Sequence, residues 1–203
     1  MAGSDVIAVI VSDEVALDAD GISVAASVGN NAALVIGGAL ADGGSVTNAS
    51  GRQVTILSAG NDSSKSFNVV GTDVNGDSLT ENVTGANAGT ATSSGYFKTI
   101  ASITAVGNPA GNVSAGINAN AADVIFAGRT RLKGFSFVSG GTAGKANIRN
   151  GSVTGTEVVQ FRSIGTDDSS EDPFIPDEGL LFKDGCFVTF VVPQFDLMMF
   201  YHA

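Results

Sequence analysis

Residues 52–116 read RQVTILSAGNDSSKSFNVVGTDVNGDSLTENVTGANAGTATSSGYFKTIASITAVGNPAGNVSAG. Small β-formers alternate with polar residues through most of this stretch, and Gly, Asn, Asp or Pro interrupts every few positions. Period-two alternation between turn residues is the pattern of short antiparallel strands joined by tight turns. It predicts strands near 53–58, 66–72, 78–84, 97–105 and 112–117. The clearest local unit is FNVVGTDVNGDSLTENVT, a hairpin with Asn75-Gly76 at its tip, two residues that tolerate the positive φ of a type I′ turn. The alternation places Phe67 and Val69 on one face, with Leu79, Glu81 and Val83 at alternate positions of the return strand.

Outside this stretch the aromatic residues divide the chain. Of 12 Phe, only Phe67 and Phe97 precede residue 120. An Ala/Val/Gly-rich half and a Phe-rich half imply cores of different construction. The expected fold is all-β: two small antiparallel β-sandwich or barrel-like modules, residues 21–125 and 126–203, with residues 1–20 as an extended N-terminal arm or edge strands. AALVIGGAL (32–40) is apolar but broken by Gly37-Gly38, which predicts a bent strand. In the Phe-rich half, RLKGFSFVSG, KANIRNG, EVVQFRSIG, GLLFKDGCFVTFVV and FDLMMFYH read as strands, and Asp184-Gly185 as a second hairpin signal. No stretch carries a helical period of ordinary length.

The 203 residues are 43% hydrophobic and only 15% charged, which places the chain among globular proteins. The net charge is −10. Up to Gly128 three basic residues face 11 acidic ones, and from Arg129 onward seven face nine, so the first half carries most of the negative field. Such a surface repels phosphate, and no nucleic-acid partner is expected. MAGSDVIAVIVSDEVALD has no basic leader region and only a short apolar run, so neither an export signal nor a membrane span is expected.

Candidate chemistry is sparse. Nucleophilic catalysis needs a positioned base, and the single histidine, His202, is the penultimate residue, where a frayed or interface-lying position is expected. Cys186 lies in an apolar strand, where a free cysteine acts as a small hydrophobe. Asp73, Asp77 and Glu81 resemble a calcium loop superficially, but the glycine falls before Asp77, where a hairpin needs it. Asp167, Asp168, Glu171 and Asp172 read as a solvated acidic loop with a hard-cation alternative. Asp177, Glu178 and Asp184 could pair as glycosidase carboxylates, yet the chain has no Trp and only two Tyr to stack on sugar. No catalytic, cofactor-binding or metal-binding residues are therefore expected, and no cofactor.

The segment 52–116 also resembles a β-rich module of tailed-bacteriophage virion proteins. The resemblance rests on GNDS, on F-x-V-x-GTD-x-x-G, on E-x-V-T-G-x-N-A-G-T and on YFKT-x-x-S-I, and more loosely on PDEGLLFKDGCFV near the C-terminus. It implies a particle component made in the host cytoplasm and built into the virion: a head decoration or cement protein, or a piece of neck, tail or fibre. The partners it implies are the major capsid protein or other virion proteins and further copies of the chain, as a homotrimer on capsid-lattice symmetry. No membrane partner is expected. The more neutral Phe-rich half is the expected contact, through Arg129, Arg131, Lys133, Phe195, Met198 and Phe200. Charge reversal at the three basic residues is then expected to weaken attachment more than changes at Asp73 or Asp77.

Overall fold

The structure is a computed structural model, and it describes residues 6–13, 16–139, 141–163, 170–171, 174–176, 178–191 and 195–202. Its described residues form only strands and connections. The first eight strands are β1 (Val6–Asp13), β2 (Asp18–Ser27), β3 (Ala41–Asp42), β4 (Ser45–Ser58), β5 (Ser66–Thr72), β6 (Ser78–Thr84), β7 (Thr90–Thr92) and β8 (Phe97–Val106). The remainder are β9 (Asn112–Phe126), β10 (Thr130–Ser139), β11 (Gly144–Asn150), β12 (Thr156–Ser163), β13 (Ser170–Glu171), β14 (Leu180–Phe182), β15 (Cys186–Val191) and β16 (Phe195–His202). They make an all-β, antiparallel protein that divides into two units, Leu17–Asn118 and Met1–Ala16 with Ala119–Ala203.

In the unit of residues 17–118, the hairpin β5–β6 pairs Phe67 with Val83 and Val69 with Glu81, and β8 lies on the other edge of β5. Phe67 and Val69 are fully buried, as the alternation requires. The hairpin turn is not the type I′ expected. Residues 73–77 form the connection, and of the Asn75-Gly76 pair only Gly76 takes positive φ (86°). The cause is Asp73: its Oδ1 accepts from the amides of Asn75 (2.8 Å) and Asp77 (3.0 Å), and its carbonyl accepts from Gly76 N–H (3.1 Å). Side-chain capture of the turn amides favours a longer loop that closes on one left-handed glycine.

Next to β8 lies the long β4, flanked by β9, which in turn carries β2. Ile22, Val54, Ile56, Ile103, Val113 and Ile117 from these strands meet Phe67 and Phe97 in an otherwise aliphatic core. Segment 32–40 bends at its glycines as expected but is not a strand. It makes one bridge, Ala33 to Thr104, and its Gly37 and Gly38 amides both donate to the Ile22 carbonyl (3.1 and 3.0 Å).

The other unit is a two-layer sandwich. One sheet has the order β1-β16-β10, with β13 and β14 on the far side of β10; the other has β12-β11-β15 and the second half of β9. Inward residues of both sheets interdigitate, as aligned sheets do: Phe135 packs against Phe161 at a tilt (centroids 3.5 Å apart) and Phe137 stacks on Phe190 (6.3 Å). This is the Phe-rich core that the aromatic distribution implied.

One boundary differs from the sequence expectation. The second unit takes up at residue 119, because β9 runs on as one strand from 112 to 126 and its two halves bury into different cores. Residues 6–13 realise the edge-strand alternative, paired along their whole length with β16. Asp184-Gly185 does not close a hairpin either. Gly185 takes φ 110°, and the chain passes there from β14, paired with β10, to β15, paired with β11 and β9. Asn150 holds the crossing: its Oδ1 accepts from Asp184 N–H (3.1 Å) and its Nδ2 donates to the Asp184 carboxylate (2.9 Å).

Candidate interaction surface

Strand β16 alternates sharply. Leu197, Met199 and Tyr201 point into the sandwich, so Asp196, Met198, Phe200 and His202 point out. The β1–β16 register is continuous over eight pairs, with Ala8 opposite Phe200 and Ile10 opposite Met198. Val6, Ala8 and Ile10 therefore share the outer face with Met198 and Phe200. Exposure is 54% at Val6, 64% at Ile10, 38% at Met198 and 37% at Phe200.

Strand β1 is thus apolar on both faces, since Ile7, Val9 and Val11 take the core side, and among the described residues it is the edge of its sheet. Edge strands are ordinarily blunted by lysine, proline or a bulge, because unpaired main-chain groups template further pairing. VIAVIV has neither residue type, and its pairing shows no register shift.

On the other side of β16, β10 places Arg131 opposite His202 and Gly134 opposite Phe200. Glycine leaves Phe200 without a side chain beside it on that strand. The Arg131 guanidinium donates to the carbonyl of Glu178 (2.9 Å) and lies 3.9 Å from its exposed carboxylate. Lys133 sits half-buried at the bulge between Leu132 and Gly134, and Arg129 is exposed in the turn before β10. Of the six expected contact residues, the structure brings Arg131, Met198 and Phe200 onto one face, with Arg131 at its end. Phe195 pairs through its backbone with Asp13 and Ser139, and its side chain lies outside the described residues. Val6, Ala8 and Ile10 were missed, although a six-residue run without a polar face was the signal for them.

Of the remaining chemical candidates, His202 and Glu81 have structural partners. His202 is no frayed end: it is held between Val6 and Arg131, and its carbonyl accepts from the Thr130 hydroxyl (2.6 Å). Glu81 turns away from Asp73 and accepts from the amides of Ser94 (2.7 Å) and Gly95 (2.8 Å). Asp167, Asp168, Asp172, Asp177 and the side chain of Glu171 lie outside the described residues. Among the described residues, no three His, Cys, Asp or Glu side chains gather to hold a metal ion.

Cys186 is fully buried, and desolvation pushes its thiol up to about 12 from 9.0. Native protein is expected to leave a disulfide-exchange reagent such as Ellman's unreacted at pH 8, with one thiol released on unfolding. The folded pKa is the higher one, so this group's contribution to stability is complete below pH 9 and falls as pH rises toward 12. A thiol that reacts at the same rate in native and denatured protein overturns the assignment.

The sequence matches no known family model, and a search of curated proteins finds no match.

Proposed function

We propose that this chain is a non-enzymatic structural component of a tailed-bacteriophage particle, a head decoration or cement protein that binds the major capsid protein as a homotrimer. The observation that carries the reading is the outer face of β1 and β16: an unblunted apolar edge strand beside outward Met198 and Phe200. Exposed apolar patches and open sheet edges mark surfaces that a partner covers. The phage-like pattern of residues 52–116 supports the same setting, as does an acidic composition that repels packaged nucleic acid.

Burial of this strip and its main-chain edge between neighbouring subunits would resist their separation. Complete burial of one such side chain is worth about 1.5–3 kcal/mol, and each further copy repeats the contribution over the shell. The test is quantitative mass spectrometry of purified particles. A copy number equal to that of the major capsid protein, or a simple fraction of it, is expected. A far lower number would move the protein to the neck, tail or fibres, and absence from particles would overturn the virion role.

A further inference from the structure

Lys145 on β11 and Arg162 on β12 stand directly opposite one another in the ladder. Their neighbours Ala146 and Phe161 face the core, so both cations point to the outer face of the sheet. Directly opposed like charges destabilise a strand pair. The chain has only ten basic residues against 20 acidic ones, and here two of them are juxtaposed.

The same face shows what a compensated cation looks like. Arg149 has Glu157 at 3.5 Å and donates to Thr189 Oγ1 (3.2 Å) and the Gly155 carbonyl (2.9 Å). Lys145 and Arg162 have no carboxylate partner among the described residues. Arg162 is nevertheless oriented: its Nε donates to Gln160 Oε1 (2.9 Å), and Gln160 is itself anchored on Asn147 (2.7 Å). That leaves the two terminal guanidinium nitrogens, the edge that engages oxyanions in bidentate fashion. Both cations line one depression of about 370 Å³ with Ala143, Gly144, Ser163 and Val191.

We infer that Lys145 and Arg162 form a binding site for an oxyanion, a phosphate or carboxylate group, supplied from outside the chain. Two cations set side by side repel until an anion bridges them, and Gln160 holds the guanidinium ready for that event. The site is independent of the virion role.

The test is thermal unfolding and amide chemical-shift titration of the full chain in low-salt buffer. Inorganic phosphate and hexaglutamate are the probes, with sodium chloride at matched ionic strength as control. The wild type is expected to show saturable shifts at Gly144, Lys145, Arg162 and Ser163, and a Tm rise of about 6–11 °C at ten times Kd. Lys145→Gln and Arg162→Gln are each expected to weaken binding at least tenfold. Without any anion, Lys145→Gln should raise Tm by about 1–8 °C, through loss of the like-charge pair. Saturation by both probes supports a free oxyanion as ligand, and saturation by hexaglutamate alone supports an acidic segment of a partner protein. Equal anion responses in wild type and variants overturn the inference, because a general salting effect stabilises both alike. A lower Tm in the ligand-free Lys145→Gln protein overturns it too, since that marks a carboxylate of the chain already in place.

Discussion

Phe137→Ala is expected to unfold the sandwich unit well below the temperature at which the native chain unfolds. Phe137 is fully buried on β10, paired in register with Leu197 and stacked on Phe190 of the opposite sheet at 6.3 Å. It therefore ties the two layers together at their centre. Truncating a buried phenylalanine costs about 3–5 kcal/mol, through lost transfer energy and a cavity that surrounding strands fill only in part. Whole domains are stable by only about 5–15 kcal/mol. In a unit of this size, each kcal/mol is worth about 4–8 °C, so a drop of roughly 12 °C or more is expected by scanning calorimetry. Phe137→Leu keeps most of the volume and should recover more than half of the loss. A shift below about 4 °C for the alanine variant would mean that the layers are not held together at this ring.

How much of this was legible follows from which interactions are local. The hairpin of residues 66–84 could be read because alternation and turn chemistry agree within one short segment, and its register is the one the pattern implies. The turn type could not, because it depends on where the Asp73 carboxylate points, and Asn-Gly composition does not encode that. Asp184-Gly185 carried a true turn signal, and Gly185 does take positive φ, but a turn residue does not say which strand the chain joins next. The unit boundary was misplaced for a related reason. Composition changes at Phe126, where the phenylalanines begin, whereas β9 buries Val113, Ala115 and Ile117 in one core and Ala121 and Ile125 in the other.

The interaction surface divides in the same way. Outward Met198 and Phe200 follow from alternation along β16 alone. That Val6 and Ile10 complete the strip depends on pairing between the two ends of the chain, some 190 residues apart in sequence. No periodicity reports a partner at that distance. Lys145 and Arg162 were likewise invisible as a pair until the β11–β12 register set them opposite one another.

Ile10→Glu is expected to abolish attachment to particles while leaving the fold intact. Ile10 is 64% exposed and faces away from the sandwich core, so a charged replacement should move folding stability by no more than about 0.5 kcal/mol. Under the proposed role, the same position is covered in an assembled shell. There the substitution removes apolar burial worth about 1.5–3 kcal/mol and places an unpaired carboxylate in a desolvated contact, at a further cost of several kcal/mol. Since each 1.4 kcal/mol is tenfold, affinity should fall by a factor of roughly 100 or more. The measurement is co-sedimentation of purified protein with particles that lack it, alongside thermal unfolding of the free protein. Val35→Glu is the control, because Val35 is more exposed (78%) but belongs to the other unit. Loss of binding in Ile10→Glu with an unchanged Tm, against normal binding in Val35→Glu, assigns the contact to the β1–β16 face. Normal binding by Ile10→Glu, or equal loss in both variants, removes that face from the contact, because an apolar strip buried at an interface cannot admit a carboxylate without cost.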